Sequence, residues 1–124
     1  MSKYALSQIQ KMSPYSPPLD GRRTYDGMLL DFNERTIPVA DKVYEAIRDF
    51  LAEGKVQIYP EYGEICERIA DYSGVSANQA MITNGSDQGI DLIFRTFTGV
   101  GDKVVIPAPS FAMFFQCAEV VGNR

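Results

Sequence analysis

Residues 81–94 read Met-Ile-Thr-Asn-Gly-Ser-Asp-Gln-Gly-Ile-Asp-Leu-Ile-Phe. A short β-rich run meets Asn84-Gly85 and passes at once into a segment where Ile90, Ile93, Phe94 and Phe97 recur at helical spacing. A strand, a glycine turn and a polar helix start make one unit of an α/β sheet. The first turn of such a helix carries backbone N–H groups with no acceptor inside the helix, and the positive end of its dipole. Two readings of Ser86 and Asp87 stay open at this level. Their side chains cap the helix, as Ser and Asp commonly do, or their backbone N–H groups cradle a phosphate.

The same rhythm extends along the chain. A short helix is predicted within residues 2–12, with Leu6 and Ile9 on one side. Residues 13–27 read as loop, because Ser13-Pro14-Tyr15-Ser16-Pro17-Pro18 cannot continue a helix. A brief strand is expected at 28–31. After Pro38, a helix carries Val43, Ala46, Ile47, Phe50 and Leu51 on one face and stops at Gly54. A further helix places Ile65, Ile69 and Tyr72 in phase and closes at Gly74. Residues 80–83 and 103–107 are predicted strands on either side of a helix over 86–98. Ser110 is expected to cap a last helix whose stripe is Phe111, Phe114, Phe115 and Ala118. The fold class predicted is α/β, the start of a mixed sheet flanked by helices. Ligands of such sheets gather outside the strand carboxyl ends, where residues 84–87 would lie.

Composition removes several classes of function. A net charge of -4, with no basic cluster larger than Arg22-Arg23, argues against a nucleic-acid surface. That pair reads as part of a solvated loop. Histidine is absent, which removes the commonest zinc ligand and general base. Cys66 and Cys117 lack metal-like spacing and read as buried, inert thiols. No metal site is expected. The amino terminus lacks a signal-peptide core and no segment has the length of a membrane span, so a cytoplasmic protein is expected.

Four more segments accompany the 81–94 motif: Leu30-Asp31-Phe32-Asn33-Glu34, Ile58-Tyr59-Pro60-Glu61-Tyr62-Gly63, Gly101-Asp102-Lys103-Val104-Val105-Ile106-Pro107, and Pro109-Ser110-Phe111-Ala112-Met113-Phe114. In this order and spacing, the chain from about Tyr15 to its last residue resembles the amino-terminal third of a pyridoxal-phosphate aminotransferase. The fold type is that of aspartate aminotransferase (fold type I), and the likeness is greatest to the histidinol-phosphate branch.

The resemblance implies a role for each matching residue. Gly85, Ser86 and Asp87 would hold the cofactor phosphate through backbone N–H groups, with the Asp87 carboxylate turned elsewhere, as a cap. Gln88 stands where related sequences often carry Glu. Phe111 occupies the place of a ring, usually Tyr, that stacks on the cofactor's pyridine, although its helical stripe would equally suit a core. Tyr59 would reach the cofactor phosphate of a neighbouring subunit, which makes a homodimer the expected assembly. Tyr15 would close over substrate, and Asn33 and Glu34 would line its entrance.

By the same resemblance, residues 1–35 form an amino-terminal arm and small-domain segment. Residues 36–124 begin the cofactor-binding large domain. The expected reaction moves an amino group between L-histidinol phosphate and 2-oxoglutarate in histidine biosynthesis. Such chemistry needs a lysine to form the Schiff base with the cofactor. None of Lys3, Lys11, Lys42, Lys55 and Lys103 stands in the expected context. The chain is therefore expected to be a truncated, inactive portion of the enzyme. The rival readings are an aromatic or broad-range aminotransferase, a threonine-phosphate decarboxylase-like enzyme, and a non-catalytic product acting as an interaction piece.

Overall fold

The computed structural model describes residues 3–17 and 19–124. Ser2, at the start of the predicted first helix, and Pro18 of the predicted loop lie outside the described residues. Five α-helices follow one another: α1 (Ser7–Lys11), α2 (Asp41–Ala52), α3 (Gly63–Ser73), α4 (Gly85–Phe97) and α5 (Ala112–Val121). Short 3-10 turns sit at Arg22–Thr24 and Ala77–Gln79. Each helix lies where apolar residues recur at three- and four-residue intervals, with bounds shifted by a few residues from the predicted ones.

The centre of the fold is α4 packed on α5, with α1 also against α5. Phe94 from α4 and Cys117 and Ala118 from α5 are buried together, and Ile90, Val104, Ile106, Met113 and Val121 pack around them. The ends of the two helices are laced by side chains. The Thr98 hydroxyl lies 2.7 Å from the Phe94 carbonyl oxygen and 3.0 Å from Asn123 Oδ1. Asn123 Nδ2 donates to the Gly99 carbonyl at 2.8 Å. Helix α5 ends at Gly122, whose φ of 88° suits glycine. The Asn123 N–H returns to the Ala118 carbonyl and the Gly122 N–H to that of Glu119.

The predicted strands are a correction. Among the described residues no strand is formed: 28–31 and 80–83 run outside the helices without a ladder, and 103–107 bonds only at its start. A strand is stabilised by its neighbour's backbone, and these three segments do not pair with one another. Sheet-type bonding begins only near Arg124. The Gly101 N–H donates to the Gly122 carbonyl, the Arg124 N–H to Asp102, and the Val104 N–H to Arg124, at 2.8, 2.8 and 3.1 Å. This alternation is that of a parallel pair with Lys103 opposite Arg124. Residues 101–104 and 122–124 are thus linked by three backbone bonds, without a strand being formed there.

Two smaller expectations also change. Ser110 does not cap α5; Phe111 holds the capping position and no side chain bonds the helix start. In α3 the buried residue is Ala70, while Tyr72 stands 94% exposed, off the predicted stripe. No helix among the described residues is long and apolar enough to cross a membrane.

Many large apolar side chains lie on the outside. The chain exposes 10,920 Å², against about 6,600 Å² for a compact monomer of its mass. Along α2, Val43, Tyr44, Ile47, Phe50 and Leu51 are all exposed, and among the described residues α2 packs on no other helix. Patches of this extent mark surfaces that something else covers.

Candidate functional site

The turn before α4 is held by two side chains. Gln88 Oε1 accepts the Asn84 N–H at 2.6 Å, and the Thr83 hydroxyl donates to the Gly85 carbonyl at 2.9 Å. The Gly85 N–H turns back to the Thr83 carbonyl at 2.8 Å. Gly85 has φ 73°, a left-handed conformation costly for any residue with a Cβ. A Cβ built there would meet nothing within 4 Å, so the backbone angle, not crowding, calls for glycine.

Ser86 and Asp87 follow as the second and third residues of α4. Their N–H groups have no acceptor inside the helix. Among the described residues they find no backbone acceptor outside it, and Asn84 offers no side-chain cap. The predicted capping role of Asp87 is therefore not what the structure shows; Gln88, not Asp87, reaches back over the turn. Two free N–H groups, a helix dipole and open space beside a glycine fit an anionic group such as a phosphate ester.

The other predicted residues are placed as follows. Phe111 directly precedes α5, is 47% exposed and meets Phe114 edge-on, with ring centroids 6.4 Å apart and planes at 89°. It thus stands at the start of the helix that packs on α4. Tyr59 is 95% exposed in the loop between α2 and α3. Tyr15 is exposed in the loop after α1. Asn33 adopts φ 52°, uncommon for a residue with a side chain, and its N–H bonds the Asp31 carbonyl. Among the described residues, no hydrogen bond, ion pair or ring contact joins Tyr15, Asn33, Glu34 or Tyr59 to the α4 turn.

Sequence reasoning missed Arg22. Far from being solvated, its side chain is 11% exposed. Nη1 pairs with Asp31 Oδ1, Nη2 with Glu34 Oε2 at 2.5 Å, and the guanidinium lies 4.4 Å from the centroid of the Phe32 ring. The hydrogen bond to Asp31, followed by that to Glu34, raises the Arg22 pKa, against desolvation. The available signal was two carboxylates and an aromatic ring within one five-residue segment, downstream of an arginine. A second arginine, Arg95, is held by both oxygens of Asp91 at 2.8 Å, one turn away on α4, which raises its pKa too.

The two thiols differ. Cys117 is buried and Cys66 partly so. Burial, helped by the charges of Asp91 and Asp87 and opposed by Arg95, pushes the Cys117 thiol above its ordinary 9.0. The fold therefore favours the neutral thiol. This contribution to stability is complete below pH 9.0 and is lost as pH climbs through the raised folded value. With a thiol-reactive chromophore at pH 8, Cys66 is expected to react first, and Cys117 only at the rate at which the α4–α5 pair opens. Equal rates for the two would show that Cys117 is accessible. Among the described residues, no cluster of three or more His, Cys, Asp or Glu side chains could hold a metal.

Comparison with known proteins gives one consistent answer. The family model for aminotransferase class I and II matches residues 25–123. Histidinol-phosphate aminotransferase from Clostridium beijerinckii is 34% identical over 97% of this chain and 34% of its own length. The enzyme of the same name from a Dehalococcoides mccartyi strain is 32% identical over 92% of this chain and 32% of its own. In structure, the chain matches along its whole length the crystal structure of histidinol-phosphate aminotransferase from Sinorhizobium meliloti in complex with pyridoxal-5'-phosphate. The TM-score is 0.78 with 22% identity, over 34% of that chain. The chain spans about a third of the length of the curated relatives it matches. With four-fifths of its residues under one family model and its entire course laid on part of one aminotransferase structure, the chain belongs to the class I and II aminotransferases.

Proposed function

We propose that this chain supplies the cofactor-phosphate end of a histidinol-phosphate aminotransferase, an enzyme exchanging an amino group between L-histidinol phosphate and 2-oxoglutarate. The observation that carries this reading is the pair of unpartnered N–H groups of Ser86 and Asp87 beside left-handed Gly85. Pyridoxal 5'-phosphate, when bound, supplies an electron sink that stabilises carbanionic character next to the amino group. The chain's own residues bind and orient. Ser86 and Asp87 hold the phosphate through backbone donors, and the helix dipole favours its charge.

Phe111 gives the pyridine a flat apolar face; half exposed and edge-on to Phe114, it has ring surface to offer. Tyr59, almost wholly exposed in its loop, suits a group reaching toward a second subunit of a cytoplasmic homodimer. Tyr15, Asn33 and Glu34 line the substrate side. In this division residues 1–35 form the arm and small-domain segment, and 36–124 the start of the cofactor domain. The Schiff-base lysine is supplied from outside these residues.

Titration of the purified chain with pyridoxal 5'-phosphate and, separately, with pyridoxal isolates the phosphate's share. Each charge-assisted hydrogen bond contributes about 1.5–3 kcal/mol, so the phosphate form is expected to bind at least about tenfold more tightly. Equal affinity for the two would overturn the phosphate reading. For the protein at its full encoded length, turnover of histidinol phosphate should exceed that of phenylalanine or tyrosine; the reverse would favour the aromatic branch.

A further inference from the structure

Arg22 performs more than loop closure. The segment Asp31–Glu34 is exposed along its whole length, and its one main-chain bond is internal, from Asn33 to Asp31. Among the described residues, its hydrogen bonds, ion pairs and ring contacts to residues outside 28–37 all end on one guanidinium. Nη1 takes Asp31, Nη2 takes Glu34, and the planar group lies over Phe32 between them. Asn33 is the residue these anchors bracket, and it sits in the left-handed region at φ 52°. Such a backbone persists where its surroundings fix it. The 3-10 turn Arg22–Thr24, entered through Gly21 and closed by the Thr24 hydroxyl on the Gly21 carbonyl, aims the arginine at the segment.

We infer that Arg22 is the positioning residue of the substrate entrance: by gripping the two carboxylates on either side of Asn33, it fixes the direction of the Asn33 carboxamide. The substrate half of this inference rests on the functional reading above, in which Asn33 and Glu34 line that entrance. The geometry also selects arginine over lysine. A planar fork serves two carboxylates and an aromatic face at once, whereas a compact ammonium on a flexible stem does not fix all three.

Two measurements test it. In the chain itself, amide order parameters at residues 31–34 are expected near the rigid value of about 0.85, falling below about 0.6 in Arg22→Met and Arg22→Lys, with α4 and α5 unchanged. In the protein at its full encoded length, Arg22→Met is expected to raise KM for the amino donor about tenfold. The cofactor affinity and kcat should stay within about twofold, and Arg22→Lys should recover little of the loss. Unchanged order in both variants overturns the clamp. A matched fall in kcat and cofactor affinity overturns the entrance role, as does full rescue by lysine. If the wild-type protein does not transaminate, the functional reading fails and the entrance role with it, while the order parameters still decide the clamp.

Discussion

Phe94→Ala is expected to cost about 3–5 kcal/mol, the usual range for emptying a buried phenylalanine site. Phe94 is the largest side chain in the small cluster shared by α4 and α5, and it is only 9% exposed. Few other groups could compensate, since among the described residues the other buried members of that cluster are the small side chains of Cys117 and Ala118. The loss is comparable to the whole stability of a small domain, so the helix pair should separate at 25 °C. Phe94→Leu keeps most of the volume and should cost less than about 1.5 kcal/mol. Urea titration followed by circular dichroism separates the two cases. An alanine variant within about 1 kcal/mol of wild type would mean that the cluster can collapse around the void or contributes little.

The second large effect concerns the turn before α4. Gly85→Val puts a β-branched side chain at φ 73°, where even a simple L-residue costs about 1–2 kcal/mol. The cheapest relief is rotation of the Thr83–Gly85 turn, which carries the N–H groups of Ser86 and Asp87 away from their present directions. Affinity for pyridoxal 5'-phosphate should fall at least about tenfold, while that for pyridoxal should change little. Gly89 supplies the control. It lies inside α4 with its Cβ position 3.4 Å from Thr83 Oγ1, an ordinary van der Waals separation that leaves the Thr83 hydroxyl on the Gly85 carbonyl. Gly89→Ala is therefore expected to keep the phosphate preference within about twofold. Loss of that preference in Gly89→Ala but not in Gly85→Val would place the anion elsewhere.

The helices were legible because their signal is local. Val43, Ala46, Ile47, Phe50 and Leu51 define α2 without reference to any partner, and Gly74 and Gly122 close α3 and α5 in left-handed backbone. The strands were not legible in the same sense. Residues 80–83 have strand composition, yet a strand exists only when another segment's backbone meets it. Capping was half legible. A polar helix start was visible at 84–88, but which side chain would reach back, Asp87 or Gln88, depends on rotamers that spacing does not specify. Arg22 was hidden for a different reason: its partners lie nine and twelve residues away across an irregular loop, where no period links them. The free N–H groups of Ser86 and Asp87 follow from helix geometry alone and could be read directly.

Helix α2 has a consequence for the order of assembly. Twelve residues make a marginal helix in water, and α2 leans on no other helix. The α4–α5 pair joins helices that are neighbours in sequence across residues 98–111, so its contacts are expected to form before longer-range ones. Residues 41–52 come last, their order supplied by whatever later settles on Ile47 and Phe50. With its apolar face uncovered, α2 is expected to be the first of these helices cut in limited proteolysis of the purified chain.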